Sequence, residues 1–290
     1  LYDIYHKTSL FKYDLEEHII EKIKKNEPFM MARVGNTELW IVKQFLLKRK
    51  NLIKNYDKFW LDFLFSTSGF FSKTNNLAEV DKFAAEHIKA IQNCDFNLCY
   101  GHEELAEGLK LALNYLQNNQ VYNYSWDKLC TPFSNSWFKY LEGKTILLIS
   151  PYSDSLNVQI KKLNKLYNGN KYPNFKVVTY QCFETQLGNG CGFDSFFDAL
   201  NTMKQEIQLI EFDIAFICAG AYGYLLTSYI KEIGKSSVEL CSYLPNWFGI
   251  KIKRYCSNVN VNKYWNENWI FPIEKPINDS KKIEDSCYWE

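Results

Sequence analysis

The chain predicts an α/β fold, a doubly wound and mostly parallel sheet, on three observations. Short apolar runs alternate with amphipathic stretches from residue 15 to about residue 241. The turns that follow those runs are polar or carry glycine, as strand-to-helix junctions do in parallel sheets. No internal repeat or low-complexity linker divides the 290 residues, a length that buries a full core without staples.

The elements follow in order. Asp14-Leu15-Glu16-Glu17 has the N-cap and N3 pattern of a capped helix, and Leu15, Ile19, Ile20 and Ile23 give it an apolar stripe. Pro28 ends that segment, and Phe29 to Val34 reads as a strand. Helix resumes near Thr37 and closes with Lys48-Arg49-Lys50, cations suited to the negative end of a helix dipole. Helices over 79–92 and 103–117 flank a short strand, Phe96 to Tyr100. Thr145 to Ile149 is a buried strand, followed by the polar turn Ser150 to Ser155 and a helix from about Leu156 to Tyr167. Phe175 to Tyr180 is the next strand, Ser195 to Gln208 a helix and Phe212 to Cys218 another strand. Ala219 to Gly223 turns into a helix ending near Gly234, and Val238 to Cys241 is the last strand. After Pro245 the pattern breaks into an irregular aromatic tail with Trp247, Trp265, Trp269 and Trp289. Residues 1–290 therefore read as one domain, with 246–290 as a wrapping C-terminal segment.

Bulk properties exclude several classes. A net charge of +1 offers no basic face for nucleic acid, although Lys251, Lys253 and Arg254 could form a local basic group for an anion. The nine cysteines are odd in number and contain no CxxC pair, so neither a zinc ribbon nor a complete disulfide framework is indicated. Cys218 and Cys241 fall in apolar runs, where buried free thiols are ordinary. A reducing, cytoplasmic compartment is expected. No signal peptide is visible and no run of 18 apolar residues occurs. The chain begins at Leu1 without a methionine, so a larger parent chain is open, and the aromatic content leaves peripheral contact with the inner face of a membrane open as well.

Three strand-end turns carry the candidate chemistry. Arg33-Val34-Gly35-Asn36-Thr37-Glu38 sets a guanidinium, an amide and a carboxylate at a glycine turn, where a helix start can bind an anion. Those residues suit a diphosphate, with Arg33 on phosphate and Glu38 on a divalent metal. They equally suit a capped helix with Asn36 at its N-cap, Glu38 in its first turn and Arg33 in an ion pair. Ser150, Ser153, Asp154 and Ser155 can bind a sugar or phosphate, or cap the following helix. Gly220, Ala221, Tyr222 and Gly223 lie where a phosphate-binding turn would, without the spacing of the dinucleotide fingerprint; only Glu239 follows as an acidic strand-end residue. No NAD, haem or zinc is expected. His6, His18 and His87 lack spaced partners and are expected on the surface, His102-Glu103-Glu104 reads as a helix start, and no GxSxG elbow supports a serine nucleophile.

Ala32 to Glu38 resembles the Arg-x-Gly-Asp-Gly-Glu region of the GT-D glycosyltransferase fold, whose signature is Asp-x-Glu. Leu148 to Ser155, Phe212 to Gly223, Lys231 to Lys235, Phe248 to Arg254, Asn266 to Pro272 and Ile283 to Trp289 are similar to bacterial GT-D-like proteins associated with surface polysaccharide. The resemblance implies a Rossmann-like sheet binding a nucleotide-sugar, a UDP-sugar foremost, with Mn²⁺ or Mg²⁺ on the diphosphate. Asn36 and Glu38 then occupy the two acidic positions and Arg33 matches the arginine. Asn36 replaces the expected Asp and brings no charge, which lowers metal affinity. Ser242 to Asn246 departs from the small glycine-containing turn usual there.

The function so implied is transfer of a sugar to a glycan or lipid-linked glycan acceptor of a capsule or lipopolysaccharide type. Arg33, Gly35, Asn36, Ser150, Ser153, Ser155, Gly220, Ala221, Tyr222, Lys251, Lys253 and Arg254 are the expected binding residues, with Glu38 and Asp154 catalytic. Two alternatives stand beside it: transfer of a phosphoryl-type substituent to capsule sugar, and a non-catalytic binding module of a larger polysaccharide enzyme.

Overall fold

Side chains that alternate along the strands divide the core into two layers. The computed structural model describes residues 15–74, 76–99, 121–123 and 126–288. The strands are β1 (Met30–Ala32), β2 (Phe96–Cys99), β3 (Val121–Asn123), β4 (Thr145–Ser150), β5 (Lys176–Gln181), β6 (Ile214–Ile217) and β7 (Ser236–Glu239). They form one sheet in the order β3-β2-β1-β7-β6-β4-β5, and all six pairings are parallel. In β4, Ile146 and Leu148 enter one layer and Leu147 and Ile149 the other, the period of two that a sheet buried on both faces requires.

Helices cover both faces. With Leu147 pack α2 (Asn36–Arg49), α4 (Leu77–Asn93), α7 (Phe196–Ile207) and α8 (Gly223–Glu232), through Ile41, Phe83, Phe196 and Leu226. With Ile146 pack α1 (Leu15–Lys25), α5 (Trp126–Cys130), α6 (Ser153–Gln159) and α9 (Tyr243–Trp247), through Ile19, Leu129, Leu156 and Trp247. The fold is thus the doubly wound, Rossmann-like α/β sheet expected. Three elements ahead of the tail had no sequence reading: β3, α5, and α3 (Lys58–Phe63), which runs into a π-helical turn over Leu64–Ser68. α3 has six residues and buries none fully, so it lacks an apolar stripe; its one local signal is Asp57, whose carboxylate caps Phe59 N–H at 2.8 Å. The expected cap Asp14, Tyr100, the helix over 103–117, His6, His102 and Trp289 lie outside the described residues.

The C-terminal segment is irregular and strapped to the sheet side of α6. Ile250 and Ile270 form a parallel bridge, Trp269 Nε1 donates to the Leu166 carbonyl at 2.7 Å, and Gln159 Nε2 donates to the Gly249 carbonyl at 2.7 Å. Gly249 has φ of +78°, and a Cβ there would stand 2.5 Å from the Leu166 side chain, so the strap can pass only on glycine. α10 (Val259–Asn262) is a short turn within this segment.

Among the described residues no helix is long and apolar enough to cross a membrane.

Candidate functional site

The chain order reverses between β1 and β7. β1 leads to β2 on one side, whereas β7 is reached from β6 on the other, which makes their carboxyl ends a switch point of the kind where α/β sheets bind ligands. A cavity of about 440 Å³ opens there, walled by the residues following β1, β4, β5, β6 and β7.

On the β1 side Gly35 is the N-cap of α2, extended in backbone and without any side-chain cap. Asn36 does not cap the helix; its Oδ1 accepts from Arg33 Nη1 at 3.0 Å. The Glu38 carboxyl folds back over the turn, so that a Cβ on Gly35 would lie 1.9 Å from Glu38 Oε2. Burial raises the Glu38 pKa, against a backbone hydrogen bond, the Arg33 charge and a Ser68 hydrogen bond that lower it. On the β7 side stands Glu239, 5% exposed, which uses the space left by Gly223: a Cβ there would lie 2.5 Å from Glu239 Oε1. Burial pushes the Glu239 pKa up to about 8; Arg33 opposes the shift and Glu38 adds to it. The two glycines therefore make room for two carboxyls of the protein itself, and the space at Gly223 is filled rather than left to a pyrophosphate.

Arg33, Gly35, Asn36, Glu38, Gly220, Ala221, Tyr222 and Arg254 all line the cavity. Gly220 sits at φ +50°, and a Cβ would stand 3.1 Å from the Ser68 carbonyl, so the turn after β6 closes against the π-helical turn. Arg254 pairs with Glu284 and lies 4.7 Å over the Tyr288 ring, holding the tail along the cavity edge.

Pro151 and Tyr152 of the β4 turn line the cavity, but the serines and Asp154 of that turn and the other basic residues do not. Ser150 is fully buried and its Oγ accepts from Tyr152 N–H at 3.2 Å. Ser153 Oγ donates to Gln181 Oε1 at 3.4 Å. Ser155 is fully buried and donates both its N–H, at 2.8 Å, and its hydroxyl to Glu274. Asp154 is exposed on α6 and is not part of the cavity wall, because the helix start turns its side chain to the outside. Lys251 lies 5.8 Å from the Trp265 ring and 5.6 Å from Phe271, and Lys253 is 3.9 Å from Asp285. Both cations are spent on the tail.

Two residues that the sequence reading did not assign to the site belong to the wall. His87, expected on the surface, is fully buried in α4; burial drives its pKa down to about 4, with Phe83 and Glu86 opposing. It falls at the i+4 position from Phe83 on a helix whose apolar face is buried, and that spacing was its signal. Glu184, after β5, has its pKa pushed up to about 7 by burial and by Glu274. No sequence pattern distinguished it. Cys182, Cys218 and Cys241 also line the cavity, all as free thiols whose pKa values burial raises.

The expected metal set was tested on its donors. Asn36 Oδ1 is engaged by a guanidinium and the Glu38 carboxyl is buried with a raised pKa. Among the described residues no three His, Cys, Asp or Glu side chains gather as a metal site. Mg²⁺ and Mn²⁺ need several hard oxygen ligands, and these residues do not fit one.

Fold and site define a class: a parallel α/β protein with a ligand crevice at the switch point of its sheet. No protein-family model and no curated protein matches the chain. Among solved structures it is similar to a selenomethionine-substituted domain of unknown function (DUF1792), at 13% identity over 92% of each chain with a TM-score of 0.34. At that level the reading rests on the chemistry of the crevice.

Proposed function

We propose that the chain is a GT-D-like glycosyltransferase that moves a sugar from a nucleotide-sugar, a UDP-sugar foremost, to a surface-glycan or lipid-linked glycan acceptor. One observation carries this reading: the N-terminus of α2, where Gly35 provides no side-chain cap and the Glu38 carboxyl takes its own backbone N–H, meets the Arg33 guanidinium at the carboxyl end of β1, inside a crevice large enough for a nucleotide. Free N–H groups at a helix start and a neighbouring guanidinium stabilise the charge that builds on a departing diphosphate. In the transfer, the bond from the sugar anomeric carbon to the diphosphate oxygen breaks, and a bond to an acceptor hydroxyl forms while that hydroxyl gives up its proton. Glu184 takes the role of base first assigned to Asp154, since it lines the crevice and its pKa near 7 suits proton transfer at neutral pH. Charge on the diphosphate is answered by Arg33 and the helix, and no step requires a metal.

The test is a thermal-shift screen of nucleotide-sugars with and without Mn²⁺, followed by transfer assays with the Glu184→Gln variant. A stabilising donor is expected, together with a large fall in turnover for the variant. Absence of a shift with every common nucleotide-sugar would sink the reading.

A further inference from the structure

The floor of the crevice carries polar atoms that the protein itself leaves unused. His87 Nε2, Glu239 Oε2 and Gln186 Oε1 are buried in residues that line the cavity, and none has a hydrogen-bond partner among the described residues. Buried polar groups are ordinarily paired, so three orphans around one cavity ask for a ligand. Their chemistry says what kind. His87 Nδ1 lies 3.0 Å from the Phe83 carbonyl, which can only accept; the proton is therefore on Nδ1, and Nε2 presents a lone pair. The depressed pKa keeps that ring neutral. Gln186 Oε1 is an acceptor outright. Glu239 has its backbone hydrogen bond from Arg33, which must fall on Oε1 because Oε2 has no partner; with the pKa pushed up to about 8 by burial the group is protonated at neutral pH, so Oε2 carries a hydroxyl that donates as well as accepts. Two acceptors and a neutral carboxylic acid offer no positive charge to phosphate and pair with hydroxyl groups, which donate and accept. The crevice is thus divided, with the guanidinium at its β1 mouth and neutral hydroxyl partners at its floor.

We propose that His87 and Glu239 form a hydroxyl-binding subsite that seats the sugar ring of the donor and sets which sugar is taken. This rests on the nucleotide-sugar reading above. The diphosphate stays at Arg33 and the start of α2, while the ring hydroxyls enter the floor between His87, Glu239 and Gln186.

Calorimetric titration of UDP, UDP-glucose, UDP-galactose and UDP-N-acetylglucosamine into the whole chain tests it, with His87→Phe and Glu239→Leu as variants. In Glu239→Leu the Oε2 hydroxyl is removed and no polar atom replaces it. The best-bound nucleotide-sugar should weaken by about tenfold in each variant, the scale of one lost hydrogen bond, while UDP changes by less than about twofold. Equal loss for UDP and nucleotide-sugar, or no loss for either, overturns the subsite and leaves the parent reading standing. A wild-type chain that binds neither UDP nor any nucleotide-sugar overturns the parent reading, and the subsite with it. Should a variant fail to fold, ¹⁵N-histidine spectra of the wild type decide. With four histidines in the chain, the Nε2 resonance of His87 should move with the bound nucleotide-sugar and hold still with UDP; a resonance that ignores both overturns the subsite.

Discussion

The turn after β1 and the turn after β4 lie at equivalent ends of parallel strands, and each leads directly into a helix on the sheet. Both are dense in hydrogen-bonding side chains. At the β4 turn those groups are consumed. Ser150, Ser153 and Ser155 all have protein partners, and the start of α6 receives the Glu274 carboxylate, which reaches it from the C-terminal segment. The protein has bound its own anion there. At the β1 turn Gly35 caps nothing by side chain, and the Glu38 carboxyl folds down onto the glycine and takes its own backbone N–H, a local partner rather than a strap from the tail. The two turns thus differ in how far away the partner lies: three residues from Gly35 at the one, 119 residues away at the other.

The sharpest way to break that contrast is to displace the local partner. In Gly35→Ala the new Cβ meets the Glu38 carboxylate, which must leave its pocket and enter the crevice. Nucleotide binding should be abolished by calorimetry, with a loss of about 1–3 kcal/mol of stability in denaturant titration, the scale of an overpacked site. An alanine variant that binds as the wild type does would mean that the turn is not the phosphate corner. Arg33→Ala comes next. Loss of a charge-assisted bond to phosphate should weaken UDP by roughly tenfold to a hundredfold, whereas Lys253→Ala, whose ammonium faces Asp285, should change it little.

The strapped turn is tested by releasing it. Glu274→Gln removes the anion from α6 and leaves Ser155 with a weaker partner, so stability should fall by about 1–2 kcal/mol while UDP binding persists. The same change removes the Coulombic push on Glu184, and the pKa of that group should move down from about 7. A pH–rate profile whose acid limb fails to shift in this variant would separate Glu184 from the proton transfer.

Much of this was legible in the sequence, for reasons that also explain what was not. The strands and their parallel order follow from apolar runs such as Thr145 to Ile149, because burial on both faces writes a continuous pattern. Arg33, Gly35 and Glu38 were legible because a glycine turn at the end of such a run has a defined place in the fold. How far away each turn's partner lies was not, since Glu274 lies in an irregular segment whose path leaves no periodic trace. His87 was misplaced because a single histidine on an amphipathic helix shows its face only when the helix is docked. Glu239 was visible as a strand-end acid, but that it faces Arg33 follows from β7 lying beside β1, a pairing of Met31 with Val238 across 207 residues that local pattern does not encode.

The last expected effect concerns pH and the buried groups of the crevice. Glu239 has an ordinary carboxyl pKa of 4.5 in the unfolded chain and about 8 in the fold. Between those values the folded protein holds a proton that the unfolded chain has lost, so the unfolded state binds fewer protons and stability falls as pH rises through the window, levelling above about pH 8. His87 acts on the other side. Its folded pKa of about 4 lies below the unfolded 6.5, so the unfolded chain takes up a proton that the fold refuses, and stability falls as pH drops through that window. The melting temperature should therefore decline toward both ends, with Glu239→Gln flattening the alkaline limb between pH 5 and 8 and His87→Phe flattening the acid one. Equal slopes for Glu239→Gln and the wild type would mean that Glu239 is already ionised in the fold. The crevice floor would then carry a fixed negative charge beside the phosphate corner, and a diphosphate could enter only with a cation to offset it.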